Sequence, residues 1–272
     1  MLEHTSCKVC NSTSAREILN VSDTKDTYLD YLKINYKSTN RFYKECHNCK
    51  LVYRSVYLSS DEKQKLYKHF RDVELRGETH TEYFQRIINL PKESSENYEK
   101  YEFLEKFLKN KGRHMDIGGG LGVFSYGFKK YFPNWSSLVV EPTDGAQKIA
   151  LENQIDFYNM YLTSESKEII GDSFDLITAN HVLEHVEEPI DFLKLLGNFL
   201  NNKGLIYLEM PSTLDIEMLD KGHDRFMSQH EVIYNEKSVE LVSLKAGFKV
   251  LDIENYISKR GRNNVRALLK SK

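Results

Sequence analysis

The stretch DIGGGLG, residues 116–122, decides how the chain is expected to fold. It lies within RHMDIGGGLGVFSYGFKKYF, residues 113–132, which predicts a strand, a glycine-rich turn and a helix. Glycines at 118, 119, 120 and 122 permit a tight turn and let a ligand approach the backbone closely. With Gly118 and Gly120 as its first two glycines, the dinucleotide pattern G-x-G-x-x-G would need its third where the chain has Val123, which disfavours a nicotinamide oxidoreductase.

An acidic residue, Glu141, follows the glycines about 20 positions further along the chain. The sequence WSSLVVEP, residues 135–142, has the character of an apolar strand that ends in Glu141. An acid about 20 positions after such a loop can bind both hydroxyls of a ribose. The glycines and Glu141 together predict a site for a ribose-containing ligand.

The same alternation of strands and helices continues to residue 272. Further strands are predicted in IDFYNMYL (155–162), SFDLITAN (173–180), GLIYLEMPS (204–212), FKVLDIENYI (248–257) and NNVRALLKSK (263–272), with the last of them at the sheet edge. Helices are predicted in TDGAQKIALEN (143–153), from Pro189 onward, and in SVELVSLKAG (238–247). The pattern predicts an α/β fold with a Rossmann-like, doubly wound sheet, whose ligands bind at the carboxyl ends of the strands.

Two C-x-x-C pairs precede this region. Cys7, Cys10, Cys46 and Cys49 are the four cysteines of the chain. Because four thiolates form a closed tetrahedral site without a position for water, they predict a small N-terminal domain that binds a structural zinc ion. His4 is an alternative ligand.

The sequence HVLEH, residues 181–185, matches the inverted zinc-protease motif H-x-x-E-H. That chemistry requires both histidines on one face of a continuous helix. Here the motif directly follows a predicted strand, and Pro189 fixes the start of the next helix. We therefore expect HVLEH to lie in the strand-to-helix turn, with His181 toward the ligand and with Glu184 and His185 bracing the turn.

Composition limits the remaining alternatives. The 272 residues carry a formal net charge of −2, without the basic excess of a non-specific nucleic-acid binder. The N-terminus has no apolar signal-peptide core, and the sequence has no apolar run long enough for a membrane span. These features predict a cytoplasmic protein that acts without nucleic acid or membrane.

Four blocks resemble the class I S-adenosylmethionine-dependent methyltransferases: DIGGGLG (116–122), VVEP (139–142), SFDLITANHVLEHVEEP (173–189) and GLIYLEMPS (204–212). The resemblance covers residues 113–272 and implies S-adenosylmethionine as cofactor. It implies that Asp116, Gly118 and Gly120 shape the methionine side, while Glu141 holds the ribose. The remaining residues implied for the cofactor are Gly119, Pro142, Met160 beside Asn159, Asn180 and His181. Helix packing is the alternative role of Gly119.

The cysteine pairs ahead of this fold resemble the zinc-containing sugar methyltransferases. In that family a histidine after an acidic residue, in a loop beyond the fifth strand, acts as base. The matching stretch is GHDRFMSQHEVIYN, residues 222–235, where His230 is the best positional match, His223 is the second candidate and Gln229 replaces the acid. The family's C-terminal sugar-binding half has no counterpart here, which favours methylation of oxygen over carbon. The expected acceptor is a sugar, sugar nucleotide or related surface-glycan precursor.

Residues 59–112 are expected to form a helical connector between the zinc module (1–58) and the methyltransferase domain (113–272). Helices are predicted from the capping box at Ser59 and in SSENYEKYEFLEKFLKN, residues 94–110. The stretch between them has little periodicity and is either a surface connector or a lid, from which Tyr83 and Arg86 would reach the cofactor carboxylate. Three alternatives stay open: a carbon methyltransferase acting on a nucleotide-linked keto-sugar, a zinc metalloprotease, and a non-catalytic module that binds cofactor and partner.

Overall fold

The computed structural model describes residues 2–3, 5–36, 39–70 and 72–272, so His4 lies outside the described residues. The strands are β1 (Leu2–Glu3), β2 (Ala15–Asn20), β3 (Phe42–Cys46), β4 (Val52–Arg54), β5 (Val56–Tyr57), β6 (Gly112–Ile117), β7 (Trp135–Val140), β8 (Asp156–Tyr158), β9 (Phe174–Asn180), β10 (Leu200–Pro211), β11 (Val232–Ile233), β12 (Phe248–Ile257) and β13 (Asn263–Ser271). The helices are α1 (Thr27–Tyr31), α2 (Ser60–Lys68), α3 (Val73–Arg76), α4 (His80–Ile88), α5 (Glu96–Glu105), α6 (Val123–Tyr131), α7 (Ala146–Glu152), α8 (Lys167–Ile170), α9 (Pro189–Gly197) and α10 (Glu236–Lys245).

A seven-stranded sheet in the order β12-β13-β10-β9-β6-β7-β8 organises the chain from β6 onward. The strands from β10 to β8 in this order pair in parallel, while β13 is antiparallel to both β10 and β12. Because β6 lies between β7 and β9, the turns after β6, β7 and β9 meet at one edge of the sheet. The prediction of a Rossmann-like α/β sheet is confirmed.

The predicted place of one strand within the sheet is wrong. The segment NNVRALLKSK was predicted at the sheet edge, but β13 lies between β10 and β12, and β12 forms the edge instead. Residues 264–269 are buried, whereas most of β12 is only partly buried. The nearly unbroken apolar run VRALL fits a strand covered on both faces, which is the signal that distinguishes it from an edge strand.

The N-terminal region folds on a four-stranded sheet in the order β11-β4-β3-β2. Its β11 comes from far along the chain and pairs Val232 with Tyr53. The cysteines Cys7, Cys46 and Cys49 belong to the same continuous apolar core as Met115 and Ile177 of the seven-stranded sheet. The division into residues 1–58, 59–112 and 113–272 stays a prediction, and β11 ties the first of these parts to the last.

The connecting segment contains more helix than expected. The capping box between Ser59 and Glu62 at the start of α2 is confirmed. The stretch with little periodicity forms α4, which has a second capping box between Thr79 and Glu82. That T-x-x-E pattern was the available signal, and Phe84 and Ile87 provide the buried face of the helix. None of the helices in the described ranges is long and apolar enough to span a membrane.

Candidate active site

The glycine loop after β6 is built around a buried carboxylate. Asp116 is 1% exposed and accepts a hydrogen bond from Thr178 Oγ1 at 2.6 Å and one from Ser125 Oγ at 3.4 Å. Burial raises the pKa of Asp116 to about 7, and these hydroxyl donors oppose the rise. A Cβ at Gly119 would lie 2.6 Å from Asp116 Oδ2, so glycine at this position leaves room for the carboxylate.

The carboxylate of Glu141, directly after β7, is fixed by backbone and side-chain hydrogen bonds. Its Oε2 accepts from the Gly120 N–H at 2.9 Å, and its Oε1 accepts from Thr143 N and Thr143 Oγ1 at 3.0 and 2.6 Å. These contacts fix the carboxylate at the end of its strand. An ionised carboxylate has about four lone-pair positions, so acceptor capacity remains for a ligand hydroxyl.

The end of β9 contributes an amide and a histidine. Asn180 is partly buried, and neither its Oδ1 nor its Nδ2 has a hydrogen-bond partner among the residues that the structure describes, which suits an amide that meets a ligand. His181 adopts φ +53°, and its Nδ1 and Nε2 lie 3.2 Å from Glu184 Oε1 and 3.2 Å from Glu209 Oε1. Burial alone would lower the pKa of His181, but the two carboxylates raise it to about 9.

Glu209 on β10 contacts His181, and the sequence did not identify it as a residue of the site. Its carboxylate is 1% exposed and pairs with Lys100 Nζ of α5 at 2.9 Å. It also accepts hydrogen bonds from the hydroxyls of Tyr207 and Tyr256, at 2.8 and 2.6 Å. Burial favours a raised pKa for Glu209, but Lys100 and His181 hold that pKa well below its usual range. The signal in the sequence was a lone carboxylate inside the apolar strand GLIYLEMP, because a buried charge requires a partner.

Asp116, Glu141, Asn180 and His181 line one cavity of about 560 Å³, within the size range of small-molecule sites. The strand edge is the part formed by the carboxyl ends of the parallel strands, and it comprises Asp116, Gly118, Glu141, Asn180 and His181. The outer wall covers it from other segments and comprises Tyr28, Tyr67, Phe70, Tyr83, His223 and His230. Of the remaining predicted site residues, Gly119, Pro142 and Met160 also line the cavity.

Three predicted residues have other roles. Gly120 acts through its N–H, which Glu141 accepts. Asn159 Nδ2 donates to the carbonyl oxygens of Glu141 and Thr143 and so fixes the turn after β7. The expectation that Arg86 reaches into the cavity is wrong, because its guanidinium pairs with Glu78 Oε1 at 2.5 Å.

The two candidate bases differ in their environments. His230 donates from Nδ1 to the Arg225 carbonyl oxygen at 3.3 Å and stacks on His185, with ring centroids 4.9 Å apart. Burial lowers the pKa of His230 to about 3, so the ring is neutral near pH 7. His223 Nδ1 lies 3.2 Å from the Arg225 backbone N and 3.0 Å from Asp224 Oδ1, so it accepts from the first when unprotonated and donates to the second when protonated. The Nδ1 proton of His230 leaves its Nε2 with the lone pair.

HVLEH lies in the turn between β9 and α9, as predicted. Residues Leu183–His185 form a single 3-10 turn. His181 lies before that turn, so His181 and His185 do not share the face of a continuous helix. The zinc-protease interpretation therefore loses its geometric basis.

The four cysteines lie together in the N-terminal region. Cys7 Sγ lies 3.5 Å from Cys49 Sγ, and Cys10 Sγ lies 3.4 Å from Cys46 Sγ. All four sulfur atoms are within 4.8 Å of one another, which is close enough for one tetrahedral metal ion to bind. None of the four lines the described cavity.

A parallel sheet in this order, with a glycine loop after its central strand and an acid after the neighbouring strand, defines the class I methyltransferase fold. The methyltransferase domain family matches residues 90–253, more than half of the 272-residue chain. The chain therefore belongs to this methyltransferase family.

Curated relatives share part of the sequence. The ubiquinone biosynthesis O-methyltransferase of Colwellia psychrerythraea is 28% identical over 96 residues, which cover 34% of this chain and 39% of that protein. The chain thus matches well under half the length of this relative, and a second curated relative is covered over 36% of its length.

Solved structures share the fold. The plantazolicin methyltransferase BpumL in complex with SAH is 16% identical with a TM-score of 0.56, over 77% of this chain and 95% of that one. Magnesium protoporphyrin IX methyltransferase from Synechocystis PCC 6803 with bound SAH is 17% identical with a TM-score of 0.56, over 77% of this chain and 100% of that one. At this level of identity the likeness shows the fold alone.

Proposed function

We propose that the enzyme methylates an oxygen of a small polar acceptor, specifically a sugar, a sugar nucleotide or a related surface-glycan precursor. One observation carries the proposal: a single cavity is lined both by the strand edge and by the polar loop that contains His223 and His230. A cofactor at the strand edge and an acceptor at the outer wall would therefore share one space. The two cysteine pairs support the sugar-directed part of the proposal through the family resemblance.

The residues at the strand edge fit the cofactor. Glu141 has acceptor capacity for ribose hydroxyls, and Asn180 has an unpaired amide at the end of β9. Met160 lines the part of the cavity proposed for adenine, and Tyr83 lines the cavity from α4. When bound, S-adenosylmethionine supplies a methyl group on a positively charged sulfur.

The acceptor hydroxyl must lose a proton as its oxygen is methylated. In the absence of a bound metal ion, Nε2 of His230 is the candidate acceptor of this proton, because Nδ1 is committed to the Arg225 carbonyl oxygen. His223 is the second candidate, and its Nδ1 lies beside both the Arg225 N–H and the Asp224 carboxylate. A positioned base typically contributes at least about 100-fold to the rate.

The direct test is turnover. The purified chain, S-adenosylmethionine and a panel of hydroxylated sugars and sugar nucleotides should give a product heavier by one methylene unit, with an O-methyl signal by NMR. His230→Gln should lower kcat about 100-fold while SAH affinity stays unchanged, and His223→Gln should have the smaller effect. A C-methyl signal would favour the keto-sugar alternative. Cofactor binding without turnover on any acceptor of the panel would favour the non-catalytic module.

We also propose that the four cysteines bind a structural zinc ion. Native mass spectrometry should find one zinc per chain, and Cys46→Ser should lose it. The matched control is Ser12→Ala, which changes a nearby hydroxyl outside the thiolate set. An unaltered zinc count in Cys46→Ser would contradict the assignment.

A further inference from the structure

Three side chains at the acceptor end of the cavity form a second potential ligand group. Glu184, His185 and His230 each place one ligand atom within 4.8 Å of the other two. All three residues line the cavity. Glu184 and His185 come from the HVLEH turn, and His230 comes from the loop before β11. The two segments are far apart in the sequence, so the fold of the chain brings the three ligand atoms together.

The histidine rings are oriented as metal-ligating histidines usually are. His185 Nδ1 donates to the Gln229 carbonyl oxygen at 2.5 Å, and His230 Nδ1 donates to the Arg225 carbonyl oxygen at 3.3 Å. A backbone carbonyl that accepts the Nδ1 proton fixes the tautomer and leaves Nε2 with its lone pair. The Tyr67 hydroxyl also donates to the Gln229 carbonyl oxygen, at 3.1 Å, which holds that acceptor in place.

The carboxylate provides an independent observation. Glu184 is 0% exposed, and its Oε1 contacts His181 Nδ1. Its Oε2 has no hydrogen-bond partner in the described part of the chain. Because a buried charged oxygen without a partner is costly, this atom calls for a cation or a donor that binds in the cavity.

We propose that Glu184, His185 and His230 bind one divalent transition-metal ion at the acceptor end of the cavity. Two imidazoles and one carboxylate suit Mn²⁺, Fe²⁺, Co²⁺ or Zn²⁺ better than Ca²⁺ or Mg²⁺. Three protein ligands leave coordination positions open toward the cavity. This makes the second group unlike the four cysteines, which would close their metal completely.

The catalytic consequence rests on the proposed function, whereas metal binding does not. An acceptor hydroxyl that coordinates an open position becomes more acidic, as water does on a bound divalent ion. Its proton then leaves to solvent while its oxygen gains the methyl group. His230 in this case binds the ion instead of taking the proton, so the two roles exclude each other.

Mn²⁺ is the suitable probe because thiolate sites prefer softer ions. Zinc-loaded protein is titrated with Mn²⁺, and the free ion is measured by EPR. We expect one Mn²⁺ per wild-type chain and binding about 10-fold to 100-fold weaker in Glu184→Gln and in His230→Gln. His223→Gln, a cavity histidine outside the group, should bind Mn²⁺ like wild type. SAH affinity and the zinc count confirm that each variant is folded.

Absence of Mn²⁺ binding by the wild type, or equal binding by all variants, would overturn the metal site. Turnover that survives chelation together with absent Mn²⁺ binding would assign His230 as the base. Specific Mn²⁺ binding without turnover on any acceptor would uphold the site and count against the proposed function alone. The two ideas therefore fail on different measurements.

Discussion

The strand edge and the outer wall enclose the same cavity but are built in different ways. The strand edge takes its residues from the ends of adjacent parallel strands, and backbone groups such as the Gly120 N–H fix its carboxylates. The outer wall collects Tyr28, Phe70 and His230 from distant segments, held by ring contacts such as the Tyr28–Phe70 stack at 5.5 Å and by side-chain hydrogen bonds to backbone groups, as His230 makes with the Arg225 carbonyl oxygen. Topology alone positions the strand edge, whereas the outer wall depends on how separate parts of the chain dock. This difference explains why one fold can keep one cofactor and change its acceptor.

The largest effect should come from the buried carboxylate of Glu209, which supports the strand edge from behind its cavity-lining residues. Glu209 contacts His181 of the strand edge and Lys100 of α5, which also lines the cavity. Glu209→Gln leaves the Lys100 ammonium buried without its counter-charge, so we expect a loss of about 3 kcal/mol in the free energy of unfolding. Urea denaturation measures it.

The matched control lies on the same helix. Glu102 pairs with Lys92 at 2.7 Å, but the side chains are 42% and 54% exposed. Glu102→Gln should change the free energy of unfolding by less than about 0.5 kcal/mol. Similar losses in both variants would mean that burial of the Glu209 pair does not decide its contribution.

The next largest effect should concern cofactor affinity at the strand edge. Glu141→Ala removes the proposed ribose acceptor and leaves the Gly120 N–H without its partner. Loss of charge-assisted hydrogen bonds should weaken SAH binding about 100-fold, as measured by calorimetry. Asp144→Ala is the control, because this exposed acid three positions further pairs with Lys68 at the surface. If Asp144→Ala weakened SAH binding as much, the specific role of Glu141 would be refuted.

The sequence predicted the strand edge well, because each of its parts is local. The glycine loop and Glu141 lie at the ends of strands that the apolar pattern reveals, and neighbouring parallel strands place their ends together. The outer wall was less predictable, since no local pattern in the sequence indicates that His185 stacks on His230. The Lys100–Glu209 pair was missed for the same reason: Lys100 has the sequence context of a solvated helix face, and only docking of α5 buries it.

Two glycines with positive φ allow the packing of the strand edge to be compared with that of the outer wall. Gly118 at the strand edge has φ +65°, and an added Cβ would lie 2.6 Å from Val182 Cγ2. Gly77, just before the outer-wall helix α4, has φ +71°, and an added Cβ would meet no atom within 4 Å. Gly77→Ala should therefore cost only backbone strain, about 1 kcal/mol. Gly118→Ala should cost about 2 kcal/mol, because crowding adds to strain. Equal costs by thermal denaturation would mean that the turn after β6 can relax.

The smallest effect concerns how the stability contributed by each region depends on pH. The carboxylates Glu184 and Glu209 raise the pKa of His181 to about 9, from about 6.5 in an unfolded chain. The folded state thus holds the His181 proton more tightly. Its stabilisation is complete below about pH 6.5 and is lost as the pH rises through about 9. Because the ring is 39% exposed, solvent screening should keep the effect below about 1 kcal/mol.

The outer-wall histidine should act in the opposite direction. Burial lowers the pKa of His230 to about 3, so the folded state binds this proton less tightly than the unfolded chain. Stability should therefore fall as the pH drops below about 6.5. Urea denaturation between pH 5 and pH 9, without added divalent ions, should show that His181→Gln flattens the alkaline side of the profile and His230→Gln the acid side. If both variants flattened the same side, the two histidines would share one electrostatic environment, and the division between strand edge and outer wall would not extend to their charges.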